Sequence, residues 1–168
     1  EIQAEAIVRN LPGFARFLPV AALFHAQVIN LEAVARDCGV ARSTVEGYIQ
    51  ILEDTLIAFQ VPAYEKQLRV RQRAHPKLYW SDSGLVRAAK RQLEGLAHEE
   101  RGALFEGLIA QTLKACKELG RLDCDQISYW SAGKESVEVD FVIERGREII
   151  GVEAKSGLEP NKKWFSGL

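Results

Sequence analysis

Four residues in the C-terminal part of the chain, Glu106, Asp140, Glu153 and Lys155, are of the types that hydrolyse phosphodiesters. In Val137-Glu-Val-Asp-Phe-Val-Ile successive side chains of a strand alternate, so Val137, Val139, Phe141 and Ile143 share one face and Glu138, Asp140 and Val142 the other. The next apolar run, Ile149-Ile-Gly-Val, leads straight into Glu153-Ala-Lys155, with Glu153 and Lys155 on a common face. If the two runs pair with their acidic faces together, Asp140 and Glu153 converge at the ends of adjacent strands. Two carboxylates and a backbone carbonyl are the hard oxygen ligands Mg²⁺ prefers, and a neighbouring lysine can hold or activate the attacking water and offset phosphate charge. Glu106, on the preceding helix, supplies a further carboxylate if that helix packs over the same edge. An acid-x-Lys triplet means little in a chain with 23 acids. Its position counts for more, because Glu and Lys are rarely buried in an apolar strand unless paired or liganded. A solvated strand face with a cross-strand ion pair is the other reading of these residues.

The elements that must position these groups form an α/β (α+β) pattern. Leu104 to Cys116 is amphipathic with a helical period, its apolar side carrying Phe105, Leu108, Ile109 and Cys116. Strands are expected over 126–130, 137–144 and 147–155, the last two joined by the tight-turn pair Arg145-Gly146. Upstream, residues 2–27 show helical spacing with a break at Leu11-Pro12-Gly13 and an interruption near Pro19. Asn30 is suited to cap a helix over Leu31-Glu-Ala-Val-Ala-Arg-Asp, Gly39 supplies a turn, and a second helix is expected from Ser43 to Asp54, a helix-turn-helix pattern. β-rich runs on both sides of Lys66, Arg69, Arg71 and Arg73 then read as the hairpin wing of a winged helix. With Arg42 at the start of the second helix, these four cations are the candidate nucleic-acid contacts. A winged helix also serves to join modules, and basic hairpins protect sheet edges, so both roles stay open. Asp82 suits a turn or a helix N-cap. His98-Glu-Glu-Arg-Gly is a polar joint, dividing the chain into 1–98 and 99–168. Tyr79, Trp80, Tyr129 and Trp130 are expected in the core, as is His25; His25, His75 and His98 show no paired metal spacing.

The net charge of −1 conceals a division: residues 66–91 carry 8 basic and 1 acidic side chains, while 1–65 and 92–168 are each at −4. Near-neutrality therefore does not exclude a nucleic-acid partner. Three widely spaced cysteines, Cys38, Cys116 and Cys124, suggest neither a disulfide framework nor a thiolate zinc site, and point to the reducing cytoplasm. No run is long and apolar enough to read as a membrane span or signal sequence. The chain starts at Glu1 and has no methionine, which implies a piece of a longer protein.

Glu106, Asp140 and Glu153-x-Lys155 resemble the core of the PD-(D/E)xK (restriction-endonuclease-like) nuclease superfamily, with Val139 where that pattern has proline. Residues 10–157 are similar to the C-terminal domain of unknown function of bacterial and archaeal AAA-type ATPases. The matching pieces are Asn30-Leu, Ala35, Cys38-Gly-Val, Ser43-Thr-Val, Tyr48-Ile, Leu52-Glu, Pro76-Lys-Leu-Tyr-Trp-Ser-Asp-Ser-Gly-Leu, Phe105-Glu106, Glu138-Val-Asp-Phe-Val and Val152-Glu-Ala-Lys155. The resemblance implies a winged helix followed by a nuclease-like α-β-β-β domain acting on nucleic acid with Mg²⁺, Asp140 and Glu153 being the metal ligands. It also implies ATP binding by an N-terminal module as an intramolecular partner. No G-x-x-x-x-G-K-[ST] occurs here, since Gly133-Lys134 precedes Glu135 and lacks the upstream glycine. The nuclease core normally continues with a helix and a strand, whereas this sequence ends 13 residues after Lys155, so the core is expected to be incomplete. The alternative is a non-catalytic module for DNA binding or protein-protein interaction, and homo-oligomerisation stays open.

Overall fold

Asn10 accepts a hydrogen bond from the Gly13 backbone N–H and so starts α1, Leu11–Leu23, at the segment where the sequence suggested a break. Pro12 lies in the first turn, where a missing N–H costs nothing, and Pro19 lies inside the helix without ending it. Burial of Phe14, Phe17, Ala21 and Ala22 against the next two helices outweighs the lost hydrogen bond. The computed structural model describes residues 8–64, 75–132 and 137–157. Lys66, Arg69, Arg71 and Arg73 lie outside the described residues, as does any helix beginning near Ile2.

Strand β1, Gln27–Val28, leads to α2, Leu31–Cys38. The Asn30 side chain accepts from the N–H groups of Glu32 and Ala33, and Gly39 ends α2 in the left-handed conformation, φ 65°, that glycine adopts without penalty. Helix α3, Arg42–Asp54, follows at once, and Val45, Tyr48, Ile49 and Leu52 close its apolar face over α1 and α2. Strands β2, Ala58–Val61, and β3, Lys77–Trp80, pair antiparallel, with β1 on the far side of β3. Asp82 caps α4, Ser83–Ala89, by accepting from the Leu85 N–H.

Helix α5 runs from His98 to Glu118, so the polar joint expected at 98–102 is its first turn, where Glu99 and Glu100 favour the positive end of the helix dipole. Its buried side also differs from expectation. Leu108 is exposed and Phe105, Ile109 and Cys116 are only half-buried, while Gly107 and Ala110 are buried with Ala103 and Leu113 beside them, because α5 packs closely on β3 at Gly107. Strands β4, Gln126–Ser131, β5, Glu138–Arg145, and β6, Glu148–Val152, form a second antiparallel sheet in that order, Gly146 at φ 60° making the last turn. Among the described residues the chain is thus mixed α/β, five helices with two small antiparallel sheets.

Strand β5 is central and buried on both faces from Val139 to Ile143, whereas β6 is an exposed edge with Ile149 and Ile150 half open to solvent. Glu153 and Lys155 therefore do not prolong an apolar strand as expected: β6 stops at Val152 and the two residues lie in the irregular segment that follows.

The two sheets are linked. The Tyr129 N–H donates to the Pro62 carbonyl and the Tyr64 N–H to the Tyr129 carbonyl, a parallel bridge from the end of β2 to β4. One face of β3, through Leu78 and Trp80, closes the helical core; the other, through Tyr79, joins Phe59, Ala110 and Phe141. His25 is 2 % exposed, and its Nδ1 accepts from the Trp80 N–H at 3.1 Å while the ring fills the notch left by Gly107. A Cβ at Gly107 would fall 2.3 Å from His25 Nε2, and the buried ring cannot swing aside. Gly107→Ala is thus expected to lose about 1–3 kcal/mol from overpacking, more than the roughly 1 kcal/mol that alanine gains in helix propensity. Urea denaturation checks this, and a stabilised variant would refute the close packing of α5 on His25.

Candidate functional site

Lys77 and Tyr79 are two apart on β3, so their side chains share the face turned toward α5. There they meet Glu106: the Tyr79 hydroxyl donates to Glu106 Oε1 at 2.6 Å, and Lys77 Nζ donates to the same oxygen at 3.0 Å. From the other side β5 brings Glu138, ion-paired with Lys77, and Asp140, whose Oδ1 is 3.9 Å from Lys77 Nζ. The Lys77 ammonium also lies 5.4 Å from the centre of the Tyr129 ring. Only 4 % of its side chain is exposed.

Pairing of Phe141 with Val152 places the next residues, Asp140 and Glu153, opposite one another just past the end of β6. Asp140 Oδ2 accepts from the Ala154 N–H at 2.7 Å, which fixes Glu153-Ala154-Lys155 beside it. Lys155 pairs with Glu153 through Oε1, and Glu153 Oε2 is buried without a hydrogen-bond partner among the described residues. Glu106, Asp140, Glu153 and Lys155 thus belong to one continuous cluster, joined by Lys77, Tyr79 and Glu138, whose part in it the sequence reading missed. Its signal was a lysine alternating with aromatics in the strand Lys-Leu-Tyr-Trp.

Charge is unevenly distributed. Burial works against the Lys77 ammonium, yet Glu106 and Glu138 outweigh it and hold the pKa above that of an ordinary lysine. Burial raises the Glu106 and Asp140 pKa values, offset in part by Lys77 for Glu106 and by the Ala154 N–H for Asp140. The asymmetry has a simple cause: one ammonium faces three carboxylates, so each carboxylate has only a share of it. Burial, and then Glu106, also raise the Tyr79 pKa, so this phenol stays protonated and serves as a donor. For Lys155 the opposing effect of burial is overcome by Glu153, and the ammonium is retained.

A model of a domain of unknown function, DUF8612, matches residues 1–96, more than half of the chain. The chain belongs to the DUF8612 family. Residues 101–168 match a second domain of unknown function, DUF4143, which therefore contains Glu106, Asp140, Glu153 and Lys155, whereas Lys77 and Tyr79 fall in the DUF8612 part. Uncharacterized proteins of Mycobacterium bovis and Mycobacterium tuberculosis are 29 % identical over 141 residues, covering 82 % of this chain. The chain spans 31 % of the length of these relatives. No solved structure matches it.

Arg42, expected at a nucleic-acid surface, is exposed at the start of α3 but paired with Glu46 at 3.1 Å and Glu32 at 3.4 Å. Its charge is already shared between two acids. Tyr79, Trp80 and Tyr129 are core residues, as is His25. Among the described residues no three His, Cys, Asp or Glu side chains are arranged to hold a metal ion. A divalent cation would therefore rest on two carboxylates, Asp140 and Glu153, completed by backbone oxygen and water, which is an ordinary donor set for Mg²⁺. Two observations fit this. Glu153 Oε2 is a buried carboxylate oxygen without a partner. The carboxylates Glu106, Glu138, Asp140 and Glu153 outnumber the ammonium groups Lys77 and Lys155 by two, the charge of one divalent cation.

Proposed function

We propose that this chain is a nucleic-acid-processing module of a longer AAA-type ATPase, its C-terminal part being a Mg²⁺-dependent phosphodiesterase of the PD-(D/E)xK type. The observation that carries the reading is the hydrogen bond from the Ala154 N–H to Asp140, which holds the Glu-Ala-Lys segment against the Asp140 carboxylate beside the unpartnered Glu153 oxygen. Mg²⁺, held by Asp140 and Glu153, would supply Lewis-acid polarisation of the scissile phosphate. Lys155 would orient the attacking water and offset charge developing on the phosphorus oxygens. Glu106 would support the water or the cation from α5. An open cavity of about 520 Å³, bounded by Arg101, Phe105 and Lys155 among others, reaches Lys155 from outside, while Arg87 on its wall is already paired with Glu100 at 3.2 Å.

The N-terminal part supports a winged-helix reading: α2 and α3 meet at the Gly39 turn, and β2 pairs with β3 beyond a connection that carries Lys66, Arg69, Arg71 and Arg73. Three free cysteines and the short span relative to longer relatives accord with a cytoplasmic location and a separate ATPase module. No helix among the described residues is long and apolar enough to cross a membrane.

A specific observation favours a second reading, in which the module binds DNA or protein without catalysis: both lysines already pair with the carboxylates. Incubation of the full chain with single- and double-stranded DNA and RNA, with and without Mg²⁺, separates the two. Cation-dependent cleavage lost at least about 100-fold in both Asp140→Ala and Lys155→Ala is the expected result. Absence of cleavage, or cleavage indifferent to both substitutions, overturns the catalytic reading in favour of the second.

A further inference from the structure

Of the two ammonium groups beside the proposed cation site, one does not come from the nuclease-like part at all. Lys77 is contributed by β3, in the DUF8612 region, and reaches across to Glu106 on α5 and Glu138 and Asp140 on β5. With 4 % of its side chain exposed, it cannot touch a substrate without leaving the cluster. Its ammonium is 3.9 Å from an oxygen of Asp140, one of the two carboxylates assigned to the cation. Tyr79, on the same face of β3, donates to Glu106 and keeps that carboxylate turned toward Lys77.

We propose that Lys77 is an internal competitor for the divalent cation, so that the N-terminal part of the chain sets how tightly the C-terminal part binds metal. The inference rests on the phosphodiesterase reading and adds its regulation. A carboxylate whose charge is partly satisfied by a fixed ammonium has less attraction left for a second cation, and two positive charges drawn to one anion repel each other at low local dielectric. Lys77 is also held by two further acids, Glu106 and Glu138, so it does not yield Asp140 freely. Conversely, any movement of β3 relative to α5 and β5 that withdraws Lys77 leaves Glu106, Glu138 and Asp140 facing one another without their shared cation, a state in which a divalent ion is strongly favoured.

The test is calorimetric titration of the full chain with Ca²⁺ and with Mn²⁺, which needs no cleavage. Lys77→Met keeps the length and apolar stem of the side chain and removes its charge; it is expected to bind at least about tenfold tighter than the wild type, while Lys77→Arg, which keeps the charge, stays near wild type. Because Lys77→Met removes a buried counter-charge and is open to misfolding, a second comparison removes the stranded Glu138 charge from both arms: Lys77→Met/Glu138→Gln, whose formal charge equals that of the wild type, against Glu138→Gln alone, with the same tightening expected. Binding lost when Asp140→Asn is added to either Lys77→Met variant assigns the cation to this site. Equal affinity with and without Lys77, in the presence of measurable binding, overturns the competition and leaves the phosphodiesterase reading standing. No binding in any variant, with the fold retained, overturns both.

Discussion

Lys77→Met is expected to lower the stability of the chain by about 3–5 kcal/mol, the cost of breaking a buried ion pair from one side. The side chain is 4 % exposed and its ammonium is the common partner of Glu106, Glu138 and Asp140. Methionine fills most of the space, so the loss is not a cavity effect. It comes from carboxylates left in a poorly solvated place without their cation. Glu138, whose side chain is 42 % exposed, can turn to water and accounts for little of it. Glu106 and Asp140 cannot, with side chains only 15 % and 11 % exposed. A double-mutant cycle separates these contributions. Glu106→Gln alone removes one of the Lys77 partners; combined with Lys77→Met, it also removes the stranded charge. The double variant should therefore be more stable than the sum of the single losses predicts, by about 1–3 kcal/mol. Urea unfolding of the four proteins at neutral pH measures the coupling. A Lys77→Met loss below about 1 kcal/mol would mean that the cluster is hydrated, and the electrostatic account of the site would fall with it.

Much of the framework follows from local signals that tertiary packing had no reason to override. Asn30, Gly39 and Asp82 act where their side chains or φ angles suit them, and the hairpin turn that sets the β5–β6 register falls at Gly146-Arg147, one residue on from the expected pair, because Arg145 still pairs with Glu148. That register is what brings Glu153 opposite Asp140, so the meeting of these two residues was legible from alternation alone. The burial around them was not. Ile149-Ile-Gly-Val is apolar but forms an exposed edge, because nothing among the described residues packs over β6. Leu11-Pro12-Gly13 has the composition of a break but opens α1, since a proline in the first turn and a capping Asn10 suit a helix start. The largest omission was Lys77. Seen in the sequence it belongs to the basic stretch 66–91 and looks like surface charge; only the pairing of β3 and the close approach of α5 at Gly107 show it turned inward. A chemical site built between two parts of a chain is invisible to a reading that treats each part alone.

The second large effect concerns the other polar residue at the junction of those parts. Burial, followed by the nearby Lys90 charge, depresses the His25 pKa from 6.5 to about 4. Its Nδ1 accepts from the Trp80 N–H, which leaves the proton on Nε2, directed toward Ala103 of α5 with no partner of good geometry. The Tyr79 ring, its centre 6.1 Å from that of the imidazole, offers no counter-charge to an imidazolium. Above pH 6.5 the ring is neutral folded and unfolded alike and its full contribution to stability is present. As pH falls from 6.5 toward 4 the unfolded chain takes up a proton that the folded chain refuses, and stability is lost with it. Over that window the loss from this residue amounts to about 3 kcal/mol. Glu106 and Asp140, with pKa values raised by burial, act in the opposite sense as pH falls, because the folded chain protonates them first. The informative quantity is therefore a difference. His25→Asn keeps an acceptor for the Trp80 N–H and removes the titrating ring. Its unfolding free energy relative to wild type should be lowest near neutral pH and should improve by about 3 kcal/mol on going to pH 4. A difference independent of pH would show that the imidazole protonates in place, and that the contact between β3 and α5 is open enough to let water reach it.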